Sequence, residues 1–228
     1  MCNGEWPPYF SQYLPHYGIG SRIVSEAFAL EGVTVEYGFF PWKRALNNAQ
    51  YGQWDGVVGY ESNFERERNF FASNTVWAAP WVFFHLKNQP LFWGKLDDLA
   101  SYRMGGTLAY MYTPEFLAAE KSGKLRVERV PSDEQNFKKL VIGRIDIFPQ
   151  LLDVGYFQIR NLFDPDTAQT ITHHPKPFGI HREHLLLSKV RKQSVRLLET
   201  FNRGLLRLKE SGRYDQYFAE LRNSTHQP

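Results

Sequence analysis

The sequence predicts an α/β fold in two consecutive blocks, each a mostly parallel sheet flanked by helices. Three observations carry this expectation. The first sixty or so residues read helix, strand, helix, strand. A second alternating set begins near residue 96. The extended, proline-containing stretch Ser73 to Pro90 lies between them. Such alternation builds parallel sheets, because each helix carries the chain back to the same end of the sheet.

Residues 3–18 read as a loop, punctuated by Pro7, Pro8, Pro15 and Gly18. A helix is expected over 19–31, where Ile23, Ala27 and Leu30 recur at helical spacing and Gly32 stops the run. Residues 33–39 alternate with period two and read as a strand. Pro41 opens a second helix that runs to Tyr51 and ends at Gly52. Residues 55–59 form the next strand.

In the second block, residues 96–99 start a short helix and 102–106 a strand that runs into a glycine turn. Helices are expected over 114–122 and 134–142, each closed by a glycine. Strands are expected over 125–130 and 145–148. Near the C-terminus, Val195, Leu198, Phe201, Leu205 and Leu208 mark the apolar face of an amphipathic helix.

Composition excludes several classes. The net charge is +3, too small for a dedicated nucleic-acid binder or an acidic tail. From residue 181 onward Lys and Arg exceed Asp and Glu, but the signs are interspersed, as on a solvated helix face. The longest apolar run, Val76 to Phe84, contains Pro80 and falls far short of the roughly 20 residues that a membrane-spanning helix needs. One cysteine, Cys2, permits no internal disulfide and no cysteine-built metal site. Its place near the start also fits the remnant of a lipid-attachment site. Aromatics make up 16% of the chain. Most belong in the core, but Trp6, Trp42 and Trp81 each adjoin a proline, which fits a core less easily.

Several motifs occur in a distinctive order. They are Gly4-Glu5-Trp6-Pro7-Pro8-Tyr9, Pro41-Trp42-Lys43-Arg44-Ala45, Asp55-Gly56, Glu65-Arg66 with Ser73 seven residues later, and Gly143-Arg144-Ile145-Asp146. Phe201-Asn202-Arg203-Gly204-Leu205 and Lys209-Glu210-Ser211-Gly212-Arg213-Tyr214 close the series. Together the set resembles the extracellular solute-binding proteins of family 3, the polar-amino-acid type. The resemblance implies the two-lobed type II periplasmic binding fold. Lobe 1 would comprise 1–79 and 177–228, and lobe 2 would comprise 80–176, with a ligand cleft and hinge between them. In that family a first strand precedes the Gly-Glu-Trp-Pro-Pro-Tyr loop. Almost nothing precedes it here, so that strand is expected to be cut short.

The resemblance also implies a ligand site. Trp6, Tyr9 and Trp42 would supply aromatic walls, with Gly59 and Glu61 at the end of a lobe 1 strand. Arg66 would clamp a carboxylate, since a planar guanidinium makes two parallel hydrogen bonds that lysine cannot match. The alternative for Arg66 is a surface arginine paired with Glu65 or Glu67. Tyr110 and Met111, in the 109–112 stretch before a helix N-terminus, and Gln150 would serve from lobe 2. Amino-acid binders of this type carry an acid soon after the Gly-Arg-Ile-Asp strand. Here Gln150 and Leu151 stand in that region, and Asp146 reads as structural. Either Glu61 receives the solute's cationic group or the solute is not an α-amino acid.

The expected protein is a periplasmic, monomeric, non-catalytic binder of a small polar solute bearing a carboxylate, its leader already removed. It would use no cofactor or metal and would partner a membrane permease of ABC-type uptake or a sensor protein. Two alternatives remain. One is a dehydratase-like enzyme using Glu61 as general acid, which needs a raised pKa. The other is the ligand-sensing domain of a signalling system. His173-His174 and His181 with His184 have no further motif ligand and read as surface or hinge residues, not as a metal site.

Overall fold

A computed structural model describes residues 1–108 and 110–225. The chain forms two compact units, the first from Met1–Ala78 and His181–Ser224 and the second from Ala79–Ile180.

In the first unit, strand β1 (Cys2–Asn3) lies parallel to β2 (Gly38–Phe39) and to β3 (Gly56–Tyr60). Helix α1 (Ile19–Ala29) precedes β2, and α2 (Trp42–Gln50) joins β2 to β3. α1 buries Ile23, Val24, Ala27 and Phe28, spaced as one helical face. Strand β4 (Phe70–Ala72) follows a short 3₁₀ turn at Arg66–Arg68. The chain then leaves this unit along β5 (Trp77–Leu86).

The second unit begins within β5. It continues through β6 (Met104–Thr107), α3 (Pro114–Lys121), β7 (Val127–Val130), α4 (Asp133–Val141) and β8 (Phe148–Leu151). Helices α5 (Leu152–Leu162) and α6 (Pro165–Thr170) and strand β9 (Ile171–His173) complete it. β6 and β7 pair in parallel, whereas β8 and β9 run antiparallel to β5. The caps are local: Thr113 Oγ1 accepts from the Phe116 N–H and Ser132 Oγ from the Gln135 N–H. The rings of Phe84, Phe137 and Phe148 meet edge to face at 5.0–5.5 Å in this unit's core.

The chain returns along β10 (Gly179–Ser188), antiparallel to β3 and β4 in the first unit. Helices α7 (Ser194–Glu210) and α8 (Arg213–Thr225) follow. α7 packs on α1 with Phe28 and Phe201 5.1 Å apart. No helix among the described residues is long and apolar enough to cross a membrane.

The α/β class stands, but the sheets are mixed because β5 and β10 carry the chain between units and pair antiparallel with their neighbours. Only Gly38–Phe39 of the expected 33–39 strand joins a ladder, since β1 offers two residues to pair with it. The expected 145–148 strand lies three residues later, with Ile147 making an isolated bridge to Met104. The stretch after Ser73 is not a bare connector but holds the ten-residue strand β5, with Pro80 inside it. β4, α5, α6, β9 and β10 carry no clear periodicity in the sequence.

Candidate functional site

The first unit gathers an aromatic and charged cluster from separated segments. Tyr60 ends β3, and its hydroxyl donates to the Trp42 carbonyl at 2.7 Å. The Trp42 ring meets Tyr60 edge to face at 5.5 Å and Trp6 at 6.5 Å. Its indole N–H donates to the Glu5 carbonyl. Gly59 makes this packing possible. Its φ is +89°, and a Cβ there would lie 2.7 Å from the Phe10 ring and 2.8 Å from Trp42. Gly59 therefore shapes the aromatic wall.

Arg66 lies half-buried over the Tyr60 ring at 4.9 Å, and its Nη1 donates to the Glu61 carbonyl at 2.8 Å. Among the described residues no carboxylate pairs with it, although Glu65 and Glu67 adjoin it in sequence. Glu67 instead accepts from the Ser62 hydroxyl. Ser73 is buried and exchanges hydrogen bonds with Leu185 of β10, which fixes the strand pairing.

Two expectations for this unit need correction. Tyr9 is fully buried and stacks on Trp77 at 5.0 Å, so it is a core residue and not a ligand wall. Glu61 already faces a cation of the protein: Oε1 lies 3.0 Å from His181 Nδ1 and accepts from the Arg182 N–H. The His181 hydrogen bond is the main influence holding the Glu61 carboxyl below its usual range, against an opposing effect of burial. A general acid needs the opposite shift, so Glu61 is poorly placed for dehydratase chemistry.

His181 is not a surface residue. Its side chain is 12% exposed and sits between Glu61 and Glu183, with Nε2 on Glu183 Oε1. Trp6 meets its ring edge to face at 5.8 Å. Burial alone would lower the His181 pKa, but the two carboxylates outweigh it and push the value up to about 9. Glu183 is buried, and its pKa is raised by that burial despite His181. The sequence signal was the pattern His181-x-Glu183, whose side chains share one face of a strand.

The second unit has its own polar cluster. The Tyr110 hydroxyl donates to Asp133 Oδ2 at 2.6 Å and Thr107 Oγ1 donates to Oδ1 at 2.5 Å. Gln158 Nε2 reaches Oδ2 at 3.4 Å. Asp133 opens α4, is 7% exposed, and burial raises its carboxyl pKa although the hydroxyls partly offset this. Gln150 is buried; its Oε1 accepts from the Leu151 N–H and its Nε2 approaches the Tyr110 hydroxyl at 3.5 Å. Met111 is exposed and Ala109 lies outside the described residues. Trp81, despite its neighbouring proline, is core, packed on Tyr110, Tyr112 and Phe178. Asp146 is structural, gripped by both arms of Arg103.

Sequence reasoning missed Asp133, which lies 17 residues before Gln150 in the chain and is brought to Tyr110 by packing, not by motif. It also missed the pairing of His181 and Glu183 with Glu61.

The two clusters thus sit in an α/β protein of two compact units. Residues 3–221 match the family of bacterial extracellular solute-binding proteins, family 3, and the chain belongs to it. No curated protein matches the chain. Among solved structures it is similar to a histidine kinase sensor domain with similarity to periplasmic binding proteins, at 20% identity and TM-score 0.71, covering 96% of this chain and 94% of that one. An ancestral arginine-binding protein bound to arginine shares 20% identity at TM-score 0.71, over 96% of each chain. The substrate-binding protein of an amino acid ABC transporter shares 19% identity at TM-score 0.67, over 97% of this chain and 98% of that one.

Proposed function

We propose that this chain captures a small polar solute bearing a carboxylate, an amino acid or a related compound, outside the cytoplasm for ABC-type uptake. It acts as a monomer whose two units close on the solute and which a membrane permease then unloads. The observation that supports this reading is Arg66, a half-buried guanidinium braced on Tyr60 and on the Glu61 main chain, with no carboxylate partner among the described residues. A planar donor held so is suited to a carboxylate from outside. Trp6 and Trp42, half-buried in the same cluster, supply apolar faces.

Calorimetry on a panel of the twenty common amino acids and short mono- and dicarboxylic acids tests the reading. Binding of a carboxylate solute is expected, and Arg66→Ala should weaken it by about tenfold or more, the worth of a charge-assisted bidentate pair. Unchanged affinity in a folded Arg66→Ala variant would refute the clamp. A sensing role, as in the histidine kinase relative, would show the same binding, with a signalling protein and not a permease captured by the loaded form.

A further inference from the structure

We propose that His181 is a positioning residue for Arg66, acting as a charged clasp between Glu183 and Glu61. The inference rests on the reading of Arg66 as the carboxylate clamp.

The geometry forms one chain of contacts. Glu183 is buried on β10, and its Oε1 meets His181 Nε2. His181 Nδ1 stands 3.0 Å from Glu61 Oε1. The Glu61 carbonyl in turn accepts from Arg66 Nη1 at 2.8 Å. Both ring nitrogens of His181 therefore face carboxylate oxygens. With both carboxyls ionised, a neutral imidazole, which has one donor and one acceptor, would turn its acceptor toward an oxygen lone pair. With Glu183 ionised the arrangement is coherent when His181 carries both protons, and its raised pKa agrees. Glu183 Oε2 has no hydrogen-bond partner among the described residues, so removing the cation would strand a buried carboxylate.

The surroundings are mixed in charge. Glu61 and Arg66 come from the segment after β3, and Tyr60 from β3 itself. Arg182, Glu183 and His184 belong to β10, and Trp6 comes from the N-terminal loop. Arg66 also helps to hold the Glu61 carboxyl low, which couples the two cations through one anion. Loss of the His181 charge would release the Glu61 carboxylate, and with it the main-chain carbonyl that braces Arg66.

The test needs no solute. Nitrogen-15 NMR of the full chain follows the His181 imidazole and the Arg66 guanidinium between pH 6 and pH 10. Both His181 nitrogens are expected to be protonated at neutral pH, with a midpoint near pH 9. The Arg66 resonances should move with the same midpoint. Glu183→Gln should lower that midpoint by about one pH unit or more, because one of two close anions is gone. Should Glu183→Gln fail to fold, Glu61→Gln removes the other, more exposed anion and should lower the midpoint likewise. An unprotonated His181 nitrogen at pH 7, or an Arg66 signal that stays still through the His181 titration, overturns the clasp. Failure of the clamp is separate: it appears as unchanged binding by Arg66→Ala while the two titrations still move together.

Discussion

Asp133 is a carboxylate among hydroxyls and an amide, accepting from Thr107, Tyr110 and Gln158. Burial raises its pKa, so the folded state holds the proton more tightly than the unfolded chain. Ionising Asp133 therefore costs stability, and that cost grows as pH rises above the ordinary value of 3.8 toward the folded one. Asp133→Asn cannot ionise. In urea denaturation it is expected to lack that contribution to the decline in stability as pH rises above 3.8. A variant that keeps the parent's slope would contradict this. At the same scale, Arg66 was legible because its type and spacing to Ser73 are local facts. The environment of Asp133 was not, because its donors Tyr110 and Thr107 lie 23 and 26 residues away.

Among the elements, α1 and α7 pack most intimately where Gly204 meets Ala27. A Cβ on Gly204 would stand 1.9 Å from the Ala27 carbonyl oxygen, a clash with backbone that no rotamer can relieve. Gly204→Val should therefore force the helices apart and cost about 2 kcal/mol or more, read as a lowered midpoint in thermal or urea unfolding. A midpoint equal to the parent's would mean that the helices do not pack this closely. Both helices were legible from their apolar stripes, of which Phe201, Leu205 and Leu208 in α7 are buried while Val195 is exposed. β10 was not, since Leu185-Leu186-Leu187 is a continuous apolar run with no period of two. β5 was hidden likewise by a continuous apolar run and by Pro80, which lacks a backbone donor.

For the whole molecule, acid stability should depend on carboxyls held below their ordinary range. The Arg103 hydrogen bonds hold Asp146 down, Arg207 and Arg203 hold Glu31, and Lys139 holds Glu128. Asp98 is held down by the Gly94 and Lys95 N–H groups. A depressed folded pKa contributes stability that is present above the unfolded value, near 4, and is lost as pH falls through the folded one. The melting temperature should therefore drop between pH 5 and pH 3. Because most of these pairs are exposed, 1 M salt should shrink the drop. His181 has the opposite sign: its contribution is complete below about pH 6.5 and is lost as pH rises through about 9. An alkaline decline that persists undiminished in His181→Gln would assign that limb to other groups.

The α/β class, the helices with clear apolar faces, the family and the arginine that most resembles a carboxylate clamp could all be read from the residues in order. Each of these rests on spacing within a few turns of chain or on motif order. It took the packed molecule to show that Tyr9 is core, that Glu61 already has a cationic partner, and that Asp133 is buried beside Tyr110. Those outcomes depend on which distant strands pair and which side chains the pairing buries. His181 lies 120 residues from Glu61 and becomes its neighbour only because β10 returns to lie beside β3.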